Sequence, residues 1–311
     1  MSNSARVAVV TGGASGIGRA MARYFVEQQY GHVAVLDVDA RNGPKIAEEL
    51  QSAAQSLGGS QSGRNPTTKV QFFTCDVSSW MSQADAFAAV YKSCNGRIDV
   101  VMANAGISEN GESSLVAEAL GALESASEEP PSEPSMRTLN VNLVGTIYTL
   151  KLATHYMKRN ALSQPADAAP DRPQTRGNII CTASNAGLYP FPIAPIYAAS
   201  KFGVIGLVQS LSQPLGRAAI QIHGLAPAVL ETNIAPSKDL FAKMAMTPMA
   251  TLVRGVDEIV RGVAGQGDPA LRQSGGVAEI HGEHVTFRAA HDYVDADTKS
   301  NLDNFWNLGY A

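Results

Sequence analysis

RVAVVTGGASGIG, residues 6–18, is the stretch that decides the fold. An apolar, β-branched run, Arg6–Val10, leads directly into a turn that contains Gly12, Gly16 and Gly18, and a helical pattern follows. Glycines between a strand and a helix leave backbone amides open at the helix N-terminus, which suits a pyrophosphate. A glycine cluster alone also fits an ordinary tight turn. The strand–turn–helix context favours a dinucleotide-binding βαβ unit.

Short apolar runs continue to alternate with longer helical stretches along the whole chain. The predicted strands are Arg6–Val10, His32–Leu36, Val70–Thr74, Ile98–Ala103, Asn178–Thr182, Ile220–Leu225 and Gly276–His281. The predicted helices are Gly18–Gln29, Asn42–Ser56, Ser82–Ser93, Arg137–Met157 and one that begins near Ile196. This alternation predicts the α/β class, as a Rossmann-type, doubly wound parallel sheet with helices on both faces. With neither an internal repeat nor a clean boundary, residues 1–311 are expected to form a single domain.

Three stretches lack a clear pattern and are predicted to be loop insertions: residues about 52–68, 108–135 and 162–176. The first and third follow a helix and precede a strand, so we place them at the amino edge of the sheet, away from the chemistry. The second leaves the carboxyl edge and carries seven glutamates without a Lys or Arg: Glu109, Glu112, Glu118, Glu124, Glu128, Glu129 and Glu133. It is either a lid over a substrate site or a mobile acidic loop kept in solution by its charge.

Composition restricts the classes of partner. The 311 residues include 24 Lys and Arg against 28 Asp and Glu, and 45% are hydrophobic. A mildly acidic chain disfavours nucleic acid and anionic membranes as main partners, and no apolar run approaches the ~20 residues of a membrane helix. The structured pattern begins too early for a signal peptide, so a cytoplasmic location is expected. Cys75, Cys94 and Cys181 are isolated, and the histidines lack ligand spacing, so neither a disulfide framework nor a metal site is expected.

Asp37 ends the second predicted strand. A carboxylate at this position can accept hydrogen bonds from the adenosine ribose hydroxyls, and it would repel a 2′-phosphate. It also fits an ordinary turn residue in the stretch LDVDA. The neighbouring Ser15 and Val38 are uncharged, and the nearest downstream base is Arg41. The pattern therefore favours NAD over NADP.

Tyr197 and Lys201 are predicted to lie on one face of a helix, at i and i+4. A cation one turn away favours the phenolate and should lower the pKa of the tyrosine, making it a usable base. This spacing is common by chance, but Ser184 follows the fifth predicted strand and could hold a substrate oxygen beside Tyr197. Asn142 is a polar residue in an otherwise apolar helix, and a water leading to Lys201 would give its amide a partner.

Together these residues resemble the short-chain dehydrogenase/reductase family, from Val7 to about Thr232. Its TGxxxGxG motif matches Thr11–Gly18, its Asn-Ala-Gly motif matches residues 104–106, and its Asn-Ser-Tyr-Lys tetrad matches Asn142, Ser184, Tyr197 and Lys201. Its Asp-Val pair matches residues 76–77, and its Pro-Gly segment matches Pro227-Ala228. The resemblance implies these cofactor-binding residues: Gly12, Ser15, Gly16, Ile17, Gly18, Asp37, Asp76, Val77, Asn104, Ala105, Gly106, Tyr197, Lys201, Pro227 and Thr232.

The resemblance also implies a reaction. Hydride would pass between a carbinol carbon and the nicotinamide, with Tyr197 as the acid or base and Ser184 orienting the oxygen. Lys201 would depress the pKa of Tyr197 and hold ribose, and Asn142 would anchor a proton-relay water. Substrate would be a small apolar alcohol or ketone, and the chain is expected to form a homodimer or homotetramer.

Three features depart from the family pattern. Pro214 should kink or end the catalytic helix, which makes the geometry of an oligomer less predictable. Ala228 replaces a glycine. The last strand, expected over Gly276–Val285, lacks the usual ending and continues into an aromatic extension, residues 282–311. Within the family, Asp37 and the stretch Gly-Glu-His-Val at 282–285 resemble 15-hydroxyprostaglandin dehydrogenase and its relatives, which suggests oxidation of a secondary alcohol on a lipid, steroid or polyketide-like molecule.

Substrate contacts are predicted in two places. Leu188, Tyr189 and Phe191 lie between Ser184 and Tyr197 and are candidate pocket walls. Met244 and Met246 lie in the expected substrate-pocket segment, residues 228–260, where methionines suit a bulky apolar molecule. Ordinary helix packing explains the methionines equally well.

Two other functions stay open at this point. The chain could be a non-catalytic dinucleotide-binding sensor or scaffold, although the intact tetrad favours an enzyme. It could also be a biosynthetic enzyme that uses the same fold for a non-redox cyclisation, because the fold does not fix the function.

Overall fold

The structure is a computed structural model, and it describes residues 6–59, 68–109, 114–121, 129–164, 168, 172–230, 243–262 and 274–308. Within these ranges one eight-stranded sheet has the order β3-β2-β1-β4-β5-β6-β7-β8. Every neighbouring pair is parallel except β7 and β8. The strands are β1 Val7–Thr11, β2 His32–Asp37, β3 Lys69–Thr74, β4 Val100–Ala103, β5 Gly177–Thr182, β6 Ile220–Pro227, β7 Val277–His281 and β8 His284–Arg288. The predicted Rossmann-type α/β fold is confirmed.

Helices cover both faces of this sheet. They are α1 Gly16–Glu27, α2 Gly43–Gly59, α3 Trp80–Ser93, α4 Ser114–Leu120, α5 Arg137–Leu139, α6 Gly145–Met157, α7 Pro195–Arg217, α8 Met249–Arg261 and α9 Ala296–Asn307. None of the helices in the described ranges has both the length and the apolar character needed to cross a membrane.

Each central strand is apolar on both sides because both of its faces are covered. Along β1, Val9 packs with α3, α6 and α7, whereas the next residue, Val10, packs with α1, α2 and α8. Successive strand side chains point to opposite faces, so a strand buried on both faces needs a continuous apolar run. This is why β1 was recognisable as a strand from VAVVT alone.

The helix expected over Arg137–Met157 is interrupted by a wide π-helical turn at Asn140–Val144. Local π-helical turns inside α-helices often mark functional sites. Gly145, the first residue of α6, lies so close to the loop after β3 that a Cβ would come within 2.9 Å of the Val77 carbonyl oxygen. The start of α6 is therefore packed tightly against this loop.

Pro214 was expected either to kink or to end the catalytic helix. It does not end the helix, since α7 continues to Arg217. Leu215, just beyond the proline, is buried in the core. A proline close to the end of a helix removes a single hydrogen bond, and we infer that this packing outweighs the loss.

The C-terminal part contains two elements that the sequence did not indicate. The strand expected over Gly276–Val285 is instead a hairpin of β7 and β8, which turns at Gly282 with a φ of 52°. The left-handed conformation of Gly282 favours glycine at this turn. The helix α9 then brings Trp306 against α7, with the Arg217 guanidinium 4.4 Å from the centre of the indole ring.

Candidate active site

The carboxyl ends of β1, β4, β5 and β6 meet at one edge of the sheet, and the strand order reverses between β1 and β4. Ligands of doubly wound folds bind in the crevice at this point. A cleft of about 750 Å³ lies here. It is lined by every predicted cofactor residue within the described ranges except Gly18, whereas Thr232 lies outside those ranges.

The glycine turn after β1 is shaped by contacts that exclude side chains. Gly12 has a φ of 64° and Gly16 a φ of 49°, both in the left-handed region. A Cβ on Gly18 would come within 2.0 Å of the Gly12 carbonyl oxygen, so α1 begins directly against the turn. This explains why Gly18 does not line the cleft and is nevertheless needed for its shape.

Asn104 ties three strand ends together below the cleft. Its side-chain amide donates to the Thr11 carbonyl oxygen at 3.0 Å, and its Oδ1 accepts from the Thr182 hydroxyl at 3.1 Å. Its backbone N–H donates to the Thr11 hydroxyl at 2.9 Å. The side chain of Asn104 thus joins the ends of β1, β4 and β5.

Asp37, at the end of β2, is held in place by backbone amides. Its Oδ2 accepts from the Ala14 N–H, and its Oδ1 accepts from the Asp39 N–H, each at 3.0 Å. The carboxylate is therefore fixed against the glycine turn at one end of the cleft. Val38 beside it is 67% exposed and brings no charge to this end.

Tyr197 and Lys201 lie in the first two turns of α7, at the other end of the cleft. The Lys201 Nζ lies 5.6 Å from the centre of the Tyr197 ring and donates to the Thr182 carbonyl oxygen at 2.9 Å. Lys201 is buried. Among the residues that the structure describes, one of its three N–H donors is used, which leaves two for other acceptors in the cleft.

The pKa directions differ from the sequence expectation. Burial raises the pKa of Tyr197, and a hydrogen bond with Ser184 partly offsets this rise. Burial also lowers the pKa of Lys201 from its usual 10.5 to about 8. Both shifts have the same cause, since a low-dielectric surrounding penalises the charged form of either group. The expected depression of the Tyr197 pKa by Lys201 is not found, because burial sets the direction and the opposing contribution comes from Ser184.

Ser184 reaches Tyr197 because a tight turn packs directly on α7. Ser184 follows β5 and caps the short 3₁₀ turn Asn185–Gly187 by accepting from the Ala186 N–H at 3.2 Å. A Cβ on Gly187 would come within 2.6 Å of the Lys201 carbonyl oxygen. Only a residue without a side chain allows this approach, which places Ser184 beside the start of α7, where it and Tyr197 line the same cleft.

The Asn142 side chain is buried and bonds to protein groups on both of its polar atoms. Its Oδ1 accepts from the Ile107 N–H at 2.8 Å, and its Nδ2 donates to the Ile107 carbonyl oxygen at 2.9 Å and to the Ser200 hydroxyl at 3.1 Å. The side chain thus fixes the segment that follows β4, next to Gly106 and the Lys201 Nζ. The water expected at Asn142 stays a prediction.

The predicted substrate residues lie outside the cleft lining. Phe191 is close to the catalytic helix, with its ring centre 6.2 Å from that of Tyr197. Tyr189 is tied to the C-terminal hairpin, because its hydroxyl donates to Glu279 at 3.2 Å and accepts from Arg288 at 3.1 Å. The others in this set are Leu188, which packs on the core, Met244, which is exposed, and Met246, which is half-buried.

Residues from three further segments line the cleft and were not singled out from the sequence. They are Ile107 and Ser108 after β4, Met136, Arg137, Asn140 and Val141 before α6, and Val229 and Leu230 after β6. Each segment directly adjoins a predicted motif, so the neighbours of those motifs were the available signal. Most of these side chains are apolar, and Arg137 adds a cation to the lining.

A profile of the short chain dehydrogenase family matches residues 6–242, which is most of the chain. The chain belongs to the short chain dehydrogenase family. Its members include NAD(P)-dependent oxidoreductases, and the family prediction is confirmed. The short-chain dehydrogenase/reductase prx7 of Penicillium rubens is 28% identical over 92% of this chain and 95% of its own length. The (+)-borneol dehydrogenase 1 of Salvia officinalis is 30% identical over 75% of this chain and 73% of its own.

Solved structures show the same fold. A 3-oxoacyl-[acyl-carrier protein] reductase from Brucella melitensis, solved with bound NAD, is 26% identical and has a TM-score of 0.62 over 89% of this chain and 90% of its own. An NADPH-dependent 3-quinuclidinone reductase from Rhodotorula rubra is 24% identical and has a TM-score of 0.65 over 91% of this chain and 92% of its own. The two dinucleotides thus both occur among proteins of this fold.

Proposed function

We propose that this short-chain dehydrogenase transfers hydride between NAD(H) and a secondary alcohol or ketone on a small apolar molecule. The observation that carries the proposal is that Ser184, Tyr197 and Lys201 line the same cleft as the glycine turn and Asp37. An acid/base group and a dinucleotide cradle in one cleft suit hydride transfer coupled to proton transfer.

The residues present fit a nicotinamide dinucleotide. The left-handed glycines at 12 and 16 and the start of α1 present backbone amides to a pyrophosphate. Asp37, anchored by two backbone amides, would accept the adenosine ribose hydroxyls, and the two remaining N–H donors of Lys201 would bind the other ribose. The bound nicotinamide supplies a carbon that accepts or returns a hydride.

Tyr197 moves the proton in this scheme. In oxidation, the C–H electron pair would leave the carbinol carbon as hydride for the nicotinamide, the O–H proton would pass to the Tyr197 phenolate, and a ketone would remain. In reduction, Tyr197 returns the proton to the oxygen. Ser184 orients that oxygen by hydrogen bonding, and Lys201 beside the ring favours the phenolate once it forms. Asn142 keeps the segment after β4 in place, so substrate and cofactor meet in a fixed geometry.

The apolar lining of the cleft supports a lipid, a steroid, a polyketide-like molecule or a smaller apolar alcohol as the substrate. Ile107, Val141 and Leu230 present aliphatic side chains to the cleft, and Phe191 lies next to the Tyr197 ring. Borneol, after which the Salvia relative is named, is a compact apolar secondary alcohol and belongs to this chemical class.

A panel of secondary alcohols and ketones, including terpenoids, steroids, prostanoids and cyclic polyketides, tests the proposal by nicotinamide absorbance with both dinucleotides. With the best substrate, Tyr197→Phe should lower kcat by about 10³-fold or more and leave dinucleotide affinity within about twofold, because general acid/base groups contribute about 10²–10⁴-fold. Tyr148→Phe, which removes a hydroxyl on α6, is the matched control. Near-normal turnover by Tyr197→Phe contradicts the mechanism.

The choice of NAD over NADP rests on the Asp37 carboxylate. Asp37→Ala removes the charge that would repel a 2′-phosphate, so the ratio of kcat/KM for NAD to that for NADP should fall by about tenfold or more. Asp39→Ala, two residues further along the same loop, is the control. An unchanged ratio in Asp37→Ala would remove the basis of the NAD preference.

We also propose that the protein is a cytoplasmic homodimer or homotetramer. Phe202 is an exposed large apolar residue on α7, the helix that the family resemblance assigns to the dimer interface, and Ile147 on α6 is exposed as well. Cys75, Cys94 and Cys181 are all free and buried, which suits a reducing compartment. Light scattering on wild type and Phe202→Glu measures the assembly, and a wild-type monomer would contradict it.

A further inference from the structure

Glu109 begins the acidic insertion and lies beside the catalytic helix. It follows Ile107 and Ser108, which line the cleft. Its Oε2 accepts a hydrogen bond from the backbone N–H of Tyr197 at 2.8 Å. The first glutamate of the insertion therefore contacts the residue on which the chemistry of the cleft depends.

This contact meets a need of α7. The N-cap position of the helix is Ala194, whose methyl group accepts no hydrogen bond, and the first helical residue is Pro195. The earliest backbone bond in the helix runs from the Ala198 N–H to the Ala194 carbonyl oxygen, so the N–H of Tyr197 has no partner within the helix. A carboxylate from outside the helix supplies both the acceptor and a negative charge at the positive end of the helix dipole.

The Glu109 side chain is itself held in a defined place. The segment before it is fixed by the two hydrogen bonds between Asn142 and the Ile107 backbone. Its second oxygen, Oε1, is shielded from solvent and has no hydrogen-bond partner among the described residues. A half-buried carboxylate that uses one oxygen on Tyr197 is unlike the exposed glutamates Glu118 and Glu133 of the same insertion.

We propose that Glu109 is a positioning residue, which fixes the first turn of α7 and thereby holds the Tyr197 ring against Ser184. This rests on the proposed function, in which Tyr197 moves the proton. It extends that function, because it attaches the acidic insertion to the catalytic helix. The charged or hydrogen-bonding groups found at Tyr197 in the described part of the chain are then four: Lys201 and Ser200 on α7, Ser184 after β5 and Glu109 after β4.

The test compares Glu109→Ala, Glu109→Gln and the control Glu118→Ala in the full-length protein. Alanine removes the acceptor, whereas glutamine keeps an acceptor oxygen on a side chain of the same length. Three readouts are used: amide hydrogen exchange of the peptide that contains residues 195–201, the separate values of kcat and KM, and the ionisation of Tyr197. The last is the tyrosinate absorbance of each variant minus that of the same variant carrying Tyr197→Phe.

Glu109→Ala should exchange the first-turn amides of α7 about tenfold faster, as expected for the loss of a helix cap. It should lower kcat by about the same factor and leave KM for the dinucleotide within about twofold. Because burial raises the pKa of Tyr197, a loosened first turn should also let Tyr197 ionise at lower pH. Glu109→Gln, which keeps the acceptor but not the charge, should restore most of each change, and Glu118→Ala should leave all three values as in wild type.

Unchanged exchange in Glu109→Ala would overturn the inference. Faster exchange with kcat and the Tyr197 ionisation unchanged would also overturn it, since Glu109 would then cap a helix without positioning the ring. If wild type turns over no alcohol or ketone, the proposed function fails, and exchange and ionisation still decide the role of Glu109.

Discussion

Replacing Lys201 by methionine should make the protein more stable near neutral pH while removing its activity. Lys201 is buried, and burial lowers its pKa from 10.5 to about 8. Near pH 7 the folded protein must therefore hold a buried ammonium that the unfolded chain keeps in water. Methionine fills a similar volume and carries no charge.

The sign of the pH dependence follows from proton binding. Between about pH 8 and about pH 10.5 the unfolded chain keeps the Lys201 proton and the folded chain loses it, so stability rises with pH in this window. Below pH 8 both states are protonated, and the full cost is present. A shift of this size corresponds to about 3 kcal/mol near pH 7 and about 1 kcal/mol near pH 9.5.

Methionine also leaves the Thr182 carbonyl oxygen without its partner, which costs about 1–3 kcal/mol. This cost does not depend on pH. Lys201→Met should therefore be about 1 kcal/mol more stable than wild type near pH 7 and about 1 kcal/mol less stable near pH 9.5, a change of about 2 kcal/mol. The change with pH in the stability difference between Lys201→Met and wild type is the better test, because the cost of the lost hydrogen bond is the same at both pH values and cancels.

Urea unfolding of both proteins at the two pH values, at one protein concentration, measures this quantity. Lys151→Met replaces an exposed lysine on α6 and should show no comparable change with pH. If the stability difference between Lys201→Met and wild type is the same at both pH values, Lys201 does not titrate in this window, and the reasoning from burial is wrong.

Two other predictions use features of the same structure. Gly18→Ala should weaken NADH binding by about tenfold or more in a fluorescence titration, because its Cβ would lie 2.0 Å from the Gly12 carbonyl oxygen and such overpacking costs about 1–3 kcal/mol. The control is Gly216→Ala, whose Cβ would meet nothing within 4 Å and which should bind NADH normally. Cys75 and Cys181 should resist alkylation in the folded protein near pH 8, because burial raises the pKa of each thiol to about 12 and only the thiolate reacts; mass spectrometry that finds either thiol modified before unfolding contradicts this.

Local patterns were enough to predict the sheet and the glycine turn. The run VAVVT is apolar at every position because β1 is buried on both faces, and Gly12 and Gly16 adopt backbone conformations that favour glycine. The spacing of Tyr197 and Lys201 likewise follows from one turn of helix. Such features are properties of the adjacent residues, so a sequence displays them directly.

Features that depend on distant packing were not predictable in this way. The amide of Asn142 bonds to Ile107 and Ser200, which are near it only in the folded chain. The pKa of Tyr197 rises because of burial, which the spacing to Lys201 does not report. The helix continues past Pro214, since tertiary packing overrides the local preference.

The hairpin of β7 and β8 has a consequence for how the sheet can associate. An uncovered edge strand offers unpaired N–H and C=O groups on which another chain can add a strand. β8 pairs along the full length of β7, from Val277 opposite Arg288 to His281 opposite His284, so β7 has a neighbour on both sides. The buried Glu279 on β7 bonds to Arg288 on β8 and would lose its charged partner if the hairpin opened. Copies of this chain therefore cannot join their sheets through β7 without first separating it from β8, so in the described part of the chain strand addition is left to the outer strands β3 and β8.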